Sequence, residues 1–242
     1  MNTSEALRRV RLITPMLLKD VETAILSHAV MEVAGEIIPA GMKGINPLFA
    51  ETYQAIQHAL SLKLAMDIAR IFDISNPKRY SREEQQKASI QVLAALLQVP
   101  DAASSLESAC RSESRQECRR ALGEFLAVAA KLDVQSSPEF GALTRIRKFR
   151  DRRLAHSLFD NEPDELPGHR DLDLLLDVAK QAAKHASLAV EGLNIDLEKQ
   201  AQRDRDNAEG YSACVLDGLS RAAAMEEDIA VVEGDFAGPA EG

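Results

Sequence analysis

The stretch of this chain whose residue types could do chemistry lies between positions 145 and 156. It holds six basic side chains, Arg145, Arg147, Lys148, Arg150, Arg152 and Arg153, against the single acid Asp151, and His156 follows at once. Its net charge is +5, which leaves −14 for the rest of a chain whose formal charge is −9. A local reversal of that size makes a compact cationic site on an acidic body, suited to an anionic partner. Histidine adds the one side chain whose ordinary pKa lies near neutrality. A plainer account is also open: a solvated basic helix face, with Phe140, Leu143, Ile146, Phe149 and Leu154 turned inward.

The elements that position this stretch are helices. Three polar residues suited to capping stand before proline, at Thr14 and Pro15, Asn46 and Pro47, and Ser137 and Pro138, so a helix is expected to open at each. Ser81 with Glu84 three residues on is a further start with a capping box. After Pro47, apolar residues recur at Tyr53, Ile56, Leu60, Leu64, Ile68, Ile71 and Phe72, the spacing of a buried helix face that stops near Asp73. Residues 101–132 read as one or two helices with Leu122, Phe125, Leu126 and Ala129 inward, and residues 171–193 as another. Ten Phe and Tyr in all and no Trp leave no strand pattern to compete. The expectation is an all-α bundle of about five to eight helices. It comprises a helical domain over 1–195, a helical extension over 196–224 and a disordered acidic tail over 225–242.

Composition removes several function classes. An acidic bulk argues against a whole surface that holds nucleic acid by counterion release. Cys110, Cys118 and Cys214 cannot all pair, and the first two are expected on one helix, too far apart to bridge, so reduced thiols and a cytoplasmic location follow. The uncharged run 88–100 is too short to cross a bilayer, and the first residues lack the order of a signal peptide. The run from Gly41 to Gly44 is no phosphate loop, and no GxSxG, HExxH or CxxC occurs. His28, His58, His169 and His185 fall on separate expected elements, so no metal and no cofactor are expected.

Arg150, Asp151 and His156, with five residues between the arginine and the histidine, resemble the Rx4–6H motif of the HEPN superfamily. The helix end from Leu64 to Asp73 and the order from Arg150 to Ser157 are similar to abortive-infection HEPN proteins of the AbiU type, over roughly residues 15–195. The resemblance implies a helical-bundle, metal-independent endoribonuclease in phage defence or a toxin-antitoxin setting. It also implies a homodimer that brings both motifs into one cleft, and an antitoxin or regulatory protein as a partner. Arg150 would then clamp the phosphate, His156 act as general acid or base, and Asp151 orient a neighbour. Arg145, Arg147, Lys148, Arg152 and Arg153 would bind RNA. HEPN toxins paired with nucleotidyltransferases carry tyrosine two residues after the histidine; Leu158 stands there, so regulation at that position is not expected.

Six positions on an ideal helix turn about 240° and rise roughly 9 Å, so Arg150 and His156 do not share a face. An arched arginine arm, an unwound helix or a partner subunit would have to complete the site. Two further readings stay open beside the enzyme. One is a non-catalytic helical module that binds RNA or protein through the basic patch. The other is a purely structural dimer.

Overall fold

The computed structural model describes residues 1–41, 47–75, 79–111, 114–151 and 167–235, with side chains up to Ala224 apart from those of Pro47 and Leu48. Among them the fold is all-α: α1 (Thr3–Gly41), α2 (Pro47–Ile71), α3 (Ile90–Leu97), α4 (Ala102–Ala109), α5 (Arg115–Lys131), α6 (Pro138–Phe149), α7 (His169–Glu191) and α8 (Leu197–Asp235). None of these helices is long and apolar enough to cross a membrane.

Local chemistry explains where most helices begin. Pro47 occupies the first position of α2, and Pro138 that of α6, where Ser137 Oγ accepts the Phe140 N–H at 3.0 Å. The Thr14 and Pro15 expectation is corrected, because α1 runs straight through both. Its cap is Asn2, whose side-chain oxygen accepts the Glu5 N–H at 2.8 Å. Thr14 instead turns its hydroxyl back to the Val10 carbonyl at 2.9 Å. The buried row Ala6, Val10, Ile13, Leu17 and Val21 keeps the helix whole across the proline. Ser81 is corrected too: only a short 3-10 turn, Arg82–Glu84, follows it, with no side-chain cap. The helix beyond is capped by Ser89, which accepts the Val92 N–H. Residues 101–132 form two helices, α4 and α5.

The chain divides into two compact units. The first comprises Met1–Ile25 and Leu62–Gln200. In it α5 packs extensively on α7 and α6 packs on α7. Phe125 and Leu122 of α5, Leu143 and Ile146 of α6, and Leu175, Ala179, Ala182 and Ala186 of α7 are buried, as are Phe72 and Ile68 at the end of α2. A row of alanines on α7 gives its neighbours a smooth apolar face to lie on.

The second unit comprises Leu26–Ser61 and Ala201–Gly242. Here Tyr53 donates its hydroxyl to the Ala34 carbonyl at 2.6 Å, and Arg205 pairs with Glu32 at 2.8 Å and Glu36 at 2.9 Å. An apolar cavity of about 320 Å³ lies among Val30, Ala34, Phe49, Ile56 and Leu219. The backbone of α8 is helical to Asp235, and the alanines and glutamates of its last stretch are good helix formers.

Candidate functional site

Helix α2 and helix α6 end side by side in the first unit, and the chemistry-bearing residues gather there. The last turn of α2 closes with Phe72 and Asp73 donating their N–H groups to Ile68 and Arg70. That leaves the Phe72 carbonyl to find a partner elsewhere. Arg147 of α6 supplies it, donating from Nη2 to Phe72 O at 3.0 Å and to Gln91 Oε1 at 2.8 Å. A cation at the negative end of the helix dipole is favourable there. Arg147 is nonetheless largely buried: desolvation, with Arg150 and Arg82 nearby, holds its pKa below the usual arginine value. Its Nε and the Gln91 Nε2 are buried without a hydrogen bond.

Arg150, one turn further, closes α6. Its Nη1 donates to Asp73 Oδ1 at 2.6 Å, its Nε to Asp151 Oδ1 at 2.7 Å, and its Nη2 lies 2.7 Å from the same Asp151 oxygen. The other Asp73 oxygen accepts from Lys87 Nζ at 2.6 Å. Burial alone would raise the Asp73 carboxyl, but the Lys87 bond and the Arg150 charge outweigh it and keep it below the usual carboxylate range. Arg150 mirrors this, since burial disfavours its charge while Asp151 and Asp73 more than restore it. Arg82 clamps Asp133 with two bonds at 2.5 and 2.7 Å just beyond, and that bond holds Asp133 low as well.

Arg145 faces the other way along α6, forming two bonds to Asp171 at 2.8 and 2.5 Å. Asp171 sits in the first turn of α7 and also accepts the Gly168 N–H at 3.1 Å. This pair ties the body of α6 to the start of α7, the two helices that flank residues 152–166. His156, Arg152 and Arg153 belong to that stretch and lie outside the described residues. Lys148 is exposed.

The structure therefore brings together Arg150, Asp151 and Arg147 of the residues chosen from sequence, and turns Arg145 and Arg147 toward protein partners. Sequence reasoning missed Asp73, Lys87, Gln91, Arg82 and Asp133. Asp73 had been noted only as a helix stop. Two other expectations are corrected. Cys110 and Cys118 are not on one helix: Cys110 follows α4, Cys118 lies in α5, and both line a cavity of about 390 Å³. Burial and the neighbouring Cys110 push the Cys118 thiol up to about 12, and it donates to the Ala189 carbonyl. His169 and His185 share α7, with His185 Nδ1 3.0 Å from Glu124.

A helical bundle that presents an arginine fixed at a helix end, with a histidine six positions on, has the features of a HEPN protein. A family model described as AbiU2 (HEPN_AbiU2) matches residues 43–211, and the chain belongs to that family. The match takes in α2 through the first part of α8, including the whole site. No curated protein and no solved structure matches the chain.

Proposed function

We propose that this protein is a metal-independent endoribonuclease of HEPN type, acting in phage defence or a toxin-antitoxin setting. The observation that carries the reading is the way Arg150 is held. Carboxylates on two sides fix its guanidinium, and among the described residues one N–H each of Nη1 and Nη2 has no further hydrogen-bond partner and can meet a phosphate. A bare surface arginine would instead spend rotamer entropy on each binding event. Arg150 then takes the charge that grows on the phosphate, as a preoriented donor does best.

His156 handles the proton. The ribose 2'-hydroxyl passes its proton to an imidazole base, its oxygen bonds to phosphorus, the bond to the 5'-oxygen breaks, and the leaving oxygen takes a proton from an imidazolium. Pairing of two subunits would supply one histidine for each role. The product strand ends in a cyclic phosphate.

The rival reading, a module that only binds through the basic patch, is weakened by the use of Arg145 and Arg147 inside the fold. The surface stripe is smaller than the charge count suggests. Labelled single-stranded RNA incubated with wild type and with His156→Ala separates the two readings. The enzyme reading expects cutting to vanish in the variant and RNA binding to persist. A wild type that binds but never cuts overturns it.

A further inference from the structure

Tyr80 is one of only two described aromatic side chains that are strongly exposed, at 58%; the other, Tyr211, lies in the second unit. Single-stranded RNA is held chiefly by backbone charge and by bases stacked on aromatic rings. An exposed ring on a fixed backbone, held by the same network of side chains as a phosphate-holding arginine, is an arrangement suited to such binding.

The backbone at Tyr80 is fixed. Gln85, only 4% exposed, donates from Nε2 to the Tyr80 and Ser75 carbonyls, both at 3.3 Å, and accepts the Ser75 N–H at 2.6 Å. Arg9 of α1 pins the same segment by donating to the Glu83 and Gln85 carbonyls. Ser75 follows Asp73 by two residues, a reach of at most about 7 Å, and Asp73 holds Arg150. Gln85 therefore ties Tyr80 to the backbone two residues from Asp73, the anchor of the proposed phosphate clamp. Exposed Arg79 precedes the ring, so positive charge for the strand backbone lies alongside it. The Gln85 bond uses the Tyr80 backbone carbonyl and so makes no demand on the ring.

The geometry points to Tyr80 as a base-stacking platform for the single strand whose phosphate Arg150 holds. This inference rests on the ribonuclease reading for the identity of the ligand, and it makes unpaired RNA the substrate class, since a base inside a duplex cannot turn onto the ring.

The chain contains no tryptophan, so Tyr80→Trp installs a single reporter. In a His156→Ala background, to prevent cutting, a 12-nucleotide unstructured RNA is titrated into the full-length protein. Indole fluorescence is expected to quench saturably, with an affinity close to that of the His156→Ala protein measured by anisotropy of a labelled copy of the strand. Tyr80→Phe in that background keeps the affinity, and Tyr80→Ala weakens it by roughly ten-fold or more, the scale of one lost stack. The same sequence as a duplex gives no quench. Circular dichroism of each variant checks that the fold is kept.

If His156→Ala protein binds RNA while Tyr80→Trp shows no quench and Tyr80→Ala binds as tightly, the inference is overturned and the ribonuclease reading stands. If the quench and the weakened binding appear but wild type never cuts, the platform stands and the catalytic reading falls. Absence of any RNA binding overturns both.

Discussion

Arg150 and Asp73 stand seventy-seven positions apart in sequence and 2.6 Å apart in the fold, with Lys87 on the other oxygen of the same carboxylate. A carboxylate held from both sides cannot easily swing, so on the ribonuclease reading it would set the angle at which Arg150 meets a phosphate. Asp73 would then be a positioning residue. Asp73→Ala is expected to lower kcat by about ten- to a hundred-fold with a smaller change in KM, because misorientation is felt most in the transition state. Asp73→Glu should recover part of the rate and Lys87→Ala should lose less. Steady-state cleavage of a fluorogenic RNA measures all three, and a Tm drop with unchanged kcat would reduce Asp73 to a structural role.

The same carboxylate leaves a mark on stability. Its pKa in the folded chain is below the ordinary 3.8, so the folded state holds the ionised form more tightly than the unfolded chain does. Its contribution is complete above pH 3.8 and disappears as the pH falls through the lower folded value. Wild type should therefore be more stable than Asp73→Asn at neutral pH, and urea midpoints of the two should converge in acid. A gap that persists well below that pH would count against the assignment.

The sequence could show α2 and α6 because each carries its own start signal, a capping residue before a proline, and its own apolar period. It could not show Asp73 as the partner of Arg150, since an ion pair between remote positions leaves no local trace and Asp73 reads simply as a helix stop. Cys110 and Cys118 were misplaced for a related reason: the apolar spacing runs on across residues 101–132 and hides the break after Ala109. Arg145 and Arg147 counted toward a surface patch because charge in a helix is usually solvated, whereas the carbonyl end of α2 and the Asp171 carboxylate draw these two inward.

Thr14 and Pro15 offer a direct check on one of the two expected helix starts that failed. An interior proline lacks the N–H that would reach the carbonyl four residues back, and its ring crowds that turn, at a cost of about 3 kcal/mol. Pro15 is exposed, so Pro15→Ala opens no cavity. The variant should gain stability, up to about that amount, seen as a higher denaturant midpoint with an unchanged slope. No gain would mean that the helix starts at Pro15 after all.

A composite site needs two copies of the chain. Multi-angle light scattering at micromolar concentration should report a dimer, and a chain cut after Ala224 should still report one, because the acidic residues beyond it are not expected to hold the subunits together. A monomer that cuts RNA at full rate would remove the argument for a shared cleft.

The chemical prediction concerns the substrate's own nucleophile. If Arg150 and His156 supply charge and protons, the attacking oxygen comes from the ribose, so RNA is cut and DNA of the same sequence is left intact. Cutting should continue in EDTA and leave cyclic phosphate ends, identified by mass spectrometry. Arg150→Ala and His156→Ala should each abolish it, with one difference between them. Arg150→Ala strips Asp73 of one of its two cations and should lower stability by roughly 1 kcal/mol, the scale of a partly exposed pair, which Arg150→Lys should partly restore without restoring the rate. Cleavage that stops with EDTA, or that proceeds equally on DNA, would rule out the Arg150 and His156 mechanism while leaving the HEPN fold in place.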